Sequence, residues 1–229
     1  MAENNADKKD SDNTLSILVV DDHPIVRQGL TELINHEEDL TVSAQADDAH
    51  NAMEMIKKKK PDMAIVDISL QGKSGIALIK DITSHYPNLP ILALSMHDEL
   101  LYAERALRAG AKGYIMKQEA TDKVITAIRK VLDGQLYVSE TMATKMVSKL
   151  VRSGSDVGSS PTDCLSDREL EVFMLIGKGY GTRQIAEKLY LSTKTIETYR
   201  AHIKEKLSLA DAAELLKFAI QWVSSQEKL

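Results

Sequence analysis

Three aspartates, a serine and a lysine stand where short apolar runs end: Asp21 and Asp22 after LSILVV, Asp67 after MAIV, Ser95 after ILAL and Lys117 after GYIM. Carboxylates gathered at one end of a sheet repel one another, so a cation is needed among them. The lysine ammonium is one. A hard divalent ion is another, and Mg2+ suits an oxygen set of this kind because it takes few carboxylates and keeps waters that phosphate oxygens can replace. With such neutralisation Asp67 can act as a nucleophile and accept a phosphoryl group as an aspartyl phosphate. Lys117 then stabilises charge on the moving group, and the Ser95 hydroxyl donates to one of its oxygens.

Each residue also has a plainer reading. An aspartate or serine after a strand is often the N-cap of the next helix, Lys117 is an ordinary solvated lysine, and Tyr114 is a core aromatic. The five positions taken together favour the chemistry. His23 invites a reading as a metal ligand, but the proline after it favours a strand-to-helix turn. Two look-alikes fail. Gly72-Lys73-Ser74 resembles the end of a phosphate-binding loop, yet the leading glycine of that motif falls on Asp67. The run Lys57 to Lys60 precedes Pro61 at the end of a helical pattern, where it complements the helix dipole.

The elements that must position these residues alternate. Strand candidates are residues 15–21, 40–46, 63–67, 91–95 and 113–117, each short and almost continuously apolar, as strands buried on both faces are. Helical patterns at 24–35, 49–58, 75–86, 99–109 and 121–132 separate them, which predicts a parallel sheet with helices on both faces and function at the carboxyl ends of its strands. A further helical pattern covers 140–151. Residues 153–163 then read SGSDVGSSPTD, the composition of a flexible tether.

From Cys164 onward the patterns are helical only. Ser166-Asp167-Arg168-Glu169 is a capping box, the apolar stripe after it stops at Gly177 and Gly179, a short helix covers 182–189, and another begins at Ser192. This is the helix-turn-helix layout, whose second element enters the DNA major groove. On that element Ile196, Tyr199, Ile203 and Leu207 share the core face, leaving Lys194, Thr198, Ala201 and Glu205 opposite and Glu197 on the flank. Thr198 and Ala201 suit a thymine methyl, Glu197 the cytosine amino group, and Lys194 a guanine or a phosphate. Arg183, Lys188, Arg200 and Lys204 are placed for phosphates, and Thr193 and Thr195 in the first turn complete the set. A final helix over 211–223 is expected to bury Ala212, Leu215, Leu216, Ala219, Ile220 and Val223, with Phe218 and Trp222 on its edge.

The net charge of −5, from 29 basic and 34 acidic residues in 229, argues at first against a nucleic-acid partner. Its distribution removes the objection. Residues 183–206 hold six basic and three acidic side chains, and from Thr162 onward the two signs balance at ten each, so the acidity belongs to the first 161 residues. One cysteine, Cys164, allows no internal disulfide, which fits a reducing cytoplasm. No apolar run reaches about 18 residues, and the start of the chain is polar, so neither a membrane partner nor a signal peptide is expected.

The runs LVVDDHPIVRQGL, AIVDISL, ILALS and GAKGYIMK resemble the receiver domain of two-component response regulators, and LSDRELEVFMLIGKGYGTRQIAEKLYLSTKTIETYRAHIKEKL resembles the LuxR-type helix-turn-helix. Joined, they are similar to the NarL/FixJ subfamily. The resemblance implies a flavodoxin-like α/β fold, a doubly wound parallel five-stranded sheet in the order 2-1-3-4-5, followed by an all-α four-helix domain. It implies a tail at 1–14, a receiver at 15–138, a linker at 139–163 and a DNA reader at 164–229. Asp67 is then the phosphoacceptor served by a sensor histidine kinase, with Mg2+ held by Asp21, Asp22, Asp67 and the Ser69 carbonyl, and Ser95 and Tyr114 as the switch pair. Such a protein is no enzyme beyond its own phosphoryl transfer and dephosphorylation. Phosphorylation shifts it to a homodimer on double-stranded promoter DNA, with contacts expected from Leu215, Phe218 and Trp222, and with RNA polymerase as a further partner. The chain departs from the family pattern at Gln71, Gln118, Gly181-Thr182, Tyr199 and Ala212. Two rivals are a LuxR-type factor controlled by ligand or protein binding, and a phosphatase using an aspartyl phosphate, which commonly carries a second acid where this chain has Ser69.

Overall fold

The computed structural model describes residues 14–70, 74–96, 99–152 and 161–226. The tail through residue 13, Gln71 and the tether at 153–160 lie outside the described residues. Contacts divide the chain into two units, Met1–Met146 and Val147–Leu229.

In the first unit five strands, β1 (Leu15–Val20), β2 (Leu40–Ala46), β3 (Met63–Asp67), β4 (Ile91–Ser95) and β5 (Gly113–Met116), form one parallel sheet in the order β2-β1-β3-β4-β5. Every residue of β3 and β4 is buried, the outcome of covering both faces of runs that are nearly all aliphatic. The covers are α1 (Pro24–Asn35), α2 (Ala49–Lys59), α3 (Gly75–His85), α4 (Glu99–Ala109) and α5 (Ala120–Leu132). Local chemistry sets where they start: Pro24 opens α1, the Asp48 side chain accepts from Asn51 N at α2, and Ser74 Oγ accepts from Ala77 N at α3. Lys60 ends α2 in the left-handed conformation, and the lysines before it occupy the last turn, as the sequence predicts.

The first residue of α3 stands against the end of β3, with Gly75 N donating to the Ile68 carbonyl at 3.0 Å. A Cβ on Gly75 would stand 1.9 Å from the Asp67 carbonyl oxygen, so only glycine lets α3 begin directly behind the strand end. After α5 the helix α6 (Glu140–Arg152) begins, and its Met142 is buried.

The second unit holds α7 (Asp167–Gly177), α8 (Thr182–Leu189), α9 (Thr193–Lys206) and α10 (Ala212–Gln226). The capping box is formed in full: Glu169 N donates to Ser166 Oγ while Ser166 N donates to Glu169 Oε2. Ser192 caps α9 by accepting from Thr195 N. Phe173 is the centre of the core, with the Phe218 and Trp222 rings 5.9 and 5.7 Å from it. A Cβ on Gly177 would lie 2.5 Å from the Ala219 carbonyl, which shows how closely α7 and α10 approach.

That aromatic cluster changes the expected face of α10. Leu215, Ala219 and Val223 are buried and Phe218 and Trp222 half-buried, while Ala212, Leu216 and Ile220 are exposed. The stripe is rotated by roughly 60° from the one expected, taking 100° per residue, because Phe173 draws both aromatics inward. Leu215, with no exposed surface, therefore has no face to offer a second copy, and the interior claims most of Phe218 and Trp222.

Candidate functional site

The strand order brings β1, β3, β4 and β5 side by side, so the residues at their carboxyl ends converge. Lys117 Nζ lies 2.6 Å from Asp21 Oδ2 and 2.8 Å from Asp67 Oδ2, bridging two carboxylates that have no exposed surface. Asp67 Oδ1 accepts from Ser69 N at 3.0 Å. Burial pushes the Asp67 carboxyl up to about 6; Lys117 opposes the rise and Asp21 adds to it. Burial likewise opposes charge on Lys117, but Asp67 and Asp21 outweigh it and raise the ammonium above its usual value. Ser95 and Tyr114 are both buried, and the Tyr114 ring occupies the inward position.

The turn after β1 carries two groups that sequence reading set aside or missed. His23 Nδ1 stands 3.3 Å from Asp21 Oδ1 and 2.7 Å from Asp22 Oδ1. Arg27, one turn into α1, donates to the Asp21 carbonyl at 2.5 Å. Its signal was the spacing: a helix starting at Pro24 returns its fourth residue over the strand end that precedes it.

The donor set fits a divalent cation. One atom from each of Asp21, Asp22, His23 and Asp67 falls within 4.8 Å of the others. Among the described residues Asp22 Oδ1 is buried and accepts no hydrogen bond, the His23 contact being close but not aligned as one. Ser69 Oγ is a second buried oxygen with no hydrogen bond among the described residues. Buried acceptors left over in this way are what a cation with oxygen ligands satisfies.

In the second unit the face of α9 opposite its buried Ile196 and Ile203 presents Lys194, Glu197, Thr198 and Ala201 to solvent, with Thr193 exposed and Thr195, Arg200 and Lys204 half-buried. Thr198 Oγ1 donates to the Lys194 carbonyl at 3.0 Å, and the residue is exposed. The basic side chains differ in their freedom. Lys206 pairs with Glu169 at 2.6 Å and Arg183 with Glu187 at 3.2 Å, and Lys188 Nζ lies 4.7 Å above the Tyr180 ring. Among the described residues no carboxylate pairs with Lys194, Arg200 or Lys204. No helix of the described residues is long and apolar enough to cross a membrane.

An acidic pocket at the end of a 2-1-3-4-5 parallel sheet, joined in one chain to a helix-turn-helix, defines a class, and comparison with known proteins places the chain in it. Residues 17–129 match the response regulator receiver domain, and residues 163–219 match the bacterial regulatory proteins of the luxR family. The chain belongs to the two-component response regulators of NarL/FixJ type, regulators of transcription that join a receiver to a DNA-binding domain. It is 39% identical over 212 residues to the oxygen regulatory protein NreC of Staphylococcus epidermidis, covering 90% of this chain and 97% of that one. It is also similar to the solved structure of RcsB from Salmonella enterica serovar Typhimurium bound to promoter rprA in the presence of phosphomimetic BeF3-, with 26% identity, a TM-score of 0.59, and 90% and 98% of the two chains covered. A LuxR-family two-component response regulator from Aurantimonas shares 33% identity at a TM-score of 0.56 over 60% of this chain and 99% of that one.

Proposed function

We propose that Asp67 accepts a phosphoryl group from a phosphohistidine of a sensor kinase, and that the modified chain binds promoter DNA as a dimer. The observation that carries this is the Lys117 ammonium bridging Asp21 and Asp67 beside an Asp22 oxygen that no hydrogen bond among the described residues satisfies. Asp21, Asp22, Asp67 and the Ser69 carbonyl would hold Mg2+, which supplies positive charge to the oxygens of the transferring group. An Asp67 oxygen forms the new O–P bond as the donor's P–N bond breaks, with the electron pair left on the imidazole nitrogen. Lys117 balances charge at the carboxylate, Ser95 donates to a phosphoryl oxygen, and Tyr114 is its partner in the switch. The receiver domain at 15–138, the linker at 139–163 and the DNA reader at 164–229 are the working division of the chain.

On the DNA, Thr198 and Ala201 meet thymine methyls, Glu197 a cytosine and Lys194 a guanine or phosphate, while Arg183, Lys188, Arg200 and Lys204 hold the backbone with Thr193 and Thr195 at the helix start. The RcsB structure bound to promoter rprA supports this reading. The contact between copies moves from Leu215, Phe218 and Trp222 to the exposed Leu216 and Ile220 of α10. RNA polymerase is a partner at the promoter, and the phosphodonor and DNA both place the work in the cytoplasm.

The test is incubation with acetyl phosphate and Mg2+. Intact mass of the wild type should rise by one phosphoryl group while that of Asp67→Asn does not, and DNA affinity and dimer fraction should rise with it. A mass shift that persists in Asp67→Asn overturns the site; phosphorylation without change in either DNA affinity or assembly overturns the switch.

A further inference from the structure

We propose that residues 136–143 form a latch that reports the state of the receiver's switch elements to α6, with Glu99 as its positioning residue. The proposal rests on the reading of Asp67 as phosphoacceptor and deepens it by naming where its signal leaves the sheet.

Tyr137 lies outside the five strands, yet it pairs with the sheet edge. Tyr114 N donates to the Tyr137 carbonyl at 2.8 Å and Tyr137 N to the Lys112 carbonyl at 3.0 Å, which makes a parallel bridge opposite Gly113. A Cβ on Gly113 would stand 3.0 Å from both Tyr137 Cβ and its carbonyl oxygen, so glycine at that position lets the segment close on β5. Two residues further on the chain is held by a different element: Ser139 N donates to Oε1 of Glu99, the first residue of α4, at 2.8 Å. Ser139 is also the cap of α6, its Oγ accepting from Met142 N at 3.1 Å and its carbonyl from Ala143 N at 2.9 Å, while the Met142 side chain is buried.

The start of α6 is thus tied to β5, which carries Tyr114, and to α4, which follows Ser95. Tyr137 and Ser139 are two residues apart and span at most about 7 Å, so the chain between them has little slack. The proposed signal is a shift of α4 relative to β5 on phosphorylation, and a shift larger than the Glu99 side chain can follow strains both ties. The backbone pair to β5 is continuous with the sheet, whereas the tie to α4 is one side-chain acceptor; the Glu99 tie is the one that breaks. The α6 cap then loses its anchor and the first turn opens more often.

The experiment is hydrogen exchange read by mass spectrometry on the full chain, with and without acetyl phosphate and Mg2+, for wild type, Glu99→Ala and Glu99→Gln. In the wild type the amides of 139–143 should exchange about fivefold faster or more once phosphorylated, while β3 amides stay protected. Glu99→Ala should show the fast rate without phosphodonor and no further rise with it. Glu99→Gln, which keeps an oxygen acceptor but loses its charge, should fall between, and it carries the test if the alanine variant does not fold. Phosphoryl uptake by intact mass with unchanged protection at 139–143 overturns the latch, as does a full phosphorylation-dependent rise in Glu99→Ala. Absence of phosphoryl uptake by the wild type overturns the Asp67 reading, and the latch falls with it.

Discussion

At the residue scale the pocket is a balance between one buried ammonium and three carboxylates, and the balance decides what each substitution does. Lys117→Met leaves Asp21 and Asp67 facing each other without a counter-charge, and breaking a buried pair of this kind costs about 3–5 kcal/mol. Urea unfolding should show that loss in cation-free buffer. Added Mg2+ should then restore more stability to Lys117→Met than it gives the wild type, since the ion replaces the missing charge and binds only the folded state. An equal Mg2+ increment in both proteins would mean that the cation sits elsewhere. Asp22 makes the complementary case. Its Oδ1 accepts no hydrogen bond among the described residues, so Asp22→Asn disturbs little in the protein alone, but it should weaken Mn2+ binding, followed by loss of the free-ion paramagnetic resonance signal, by about tenfold or more. These residues were legible in the sequence because strand ends in a parallel sheet converge whatever the loops do. His23 and Arg27 were less so: the spacing from Pro24 returns Arg27 over the strand end, but which atoms the two side chains reach depends on how α1 leaves the strand.

At the element scale, close approaches and caps set the geometry. Gly75→Ala forces a methyl into the Asp67 carbonyl, which must drive the start of α3 away from the end of β3. The expected result is a loss of about 1–3 kcal/mol, the usual cost of overpacking, together with slower phosphoryl uptake at unchanged Lys117 and Asp21. In the second unit the capping box adds a pH dependence. Burial acts to raise the Glu169 carboxyl, but Lys206 and the Ser166 amide outweigh it and hold the group below its ordinary value. A carboxyl lowered by folding stabilises above its unfolded pKa, and that contribution disappears as pH falls through the folded value. Thermal unfolding of a 161–229 fragment should therefore lose stability below about pH 4.5, whereas Glu169→Gln should start lower at pH 7 and change less on acidification. The strands and both capped helices α7 and α9 follow from pattern and cap residues alone. The face of α10 did not, because Leu216 and Leu215 are equally apolar and only the position of Phe173 across the interface decides which one is buried.

At the scale of the whole molecule, two units with separate cores share one chain, and the overall charge describes neither. The acidity serves the first unit, whose pocket needs carboxylates to hold a cation. From Thr162 onward the second is neutral in sum, and its helix-turn-helix stretch, 183–206, carries a surplus of three positive charges with Glu187 already counted; of these Lys206 is engaged by Glu169 from outside the stretch. Lys188, Lys194, Arg200 and Lys204 remain for phosphates, and Arg183 reaches one only by releasing Glu187, an exchange that adds no net charge to the count. Each phosphate neutralised releases counterions worth about 0.9 in the slope of log affinity against log salt, so four contacts give a slope of about −3 to −4 per protomer on duplex DNA. Lys204→Ala should reduce that slope by about one and weaken binding alike on all sequences. Thr198→Ser, which removes the methyl and keeps the hydroxyl bonded to Lys194, should leave the slope alone and lower only the preference for thymine over uracil at the contacted position, by about 1 kcal/mol or more. Titrations of the 161–229 fragment and the full chain at several salt concentrations measure both effects. A slope near zero in the fragment would sink the phosphate assignment, because without the acidic unit nothing else in the chain could mask it.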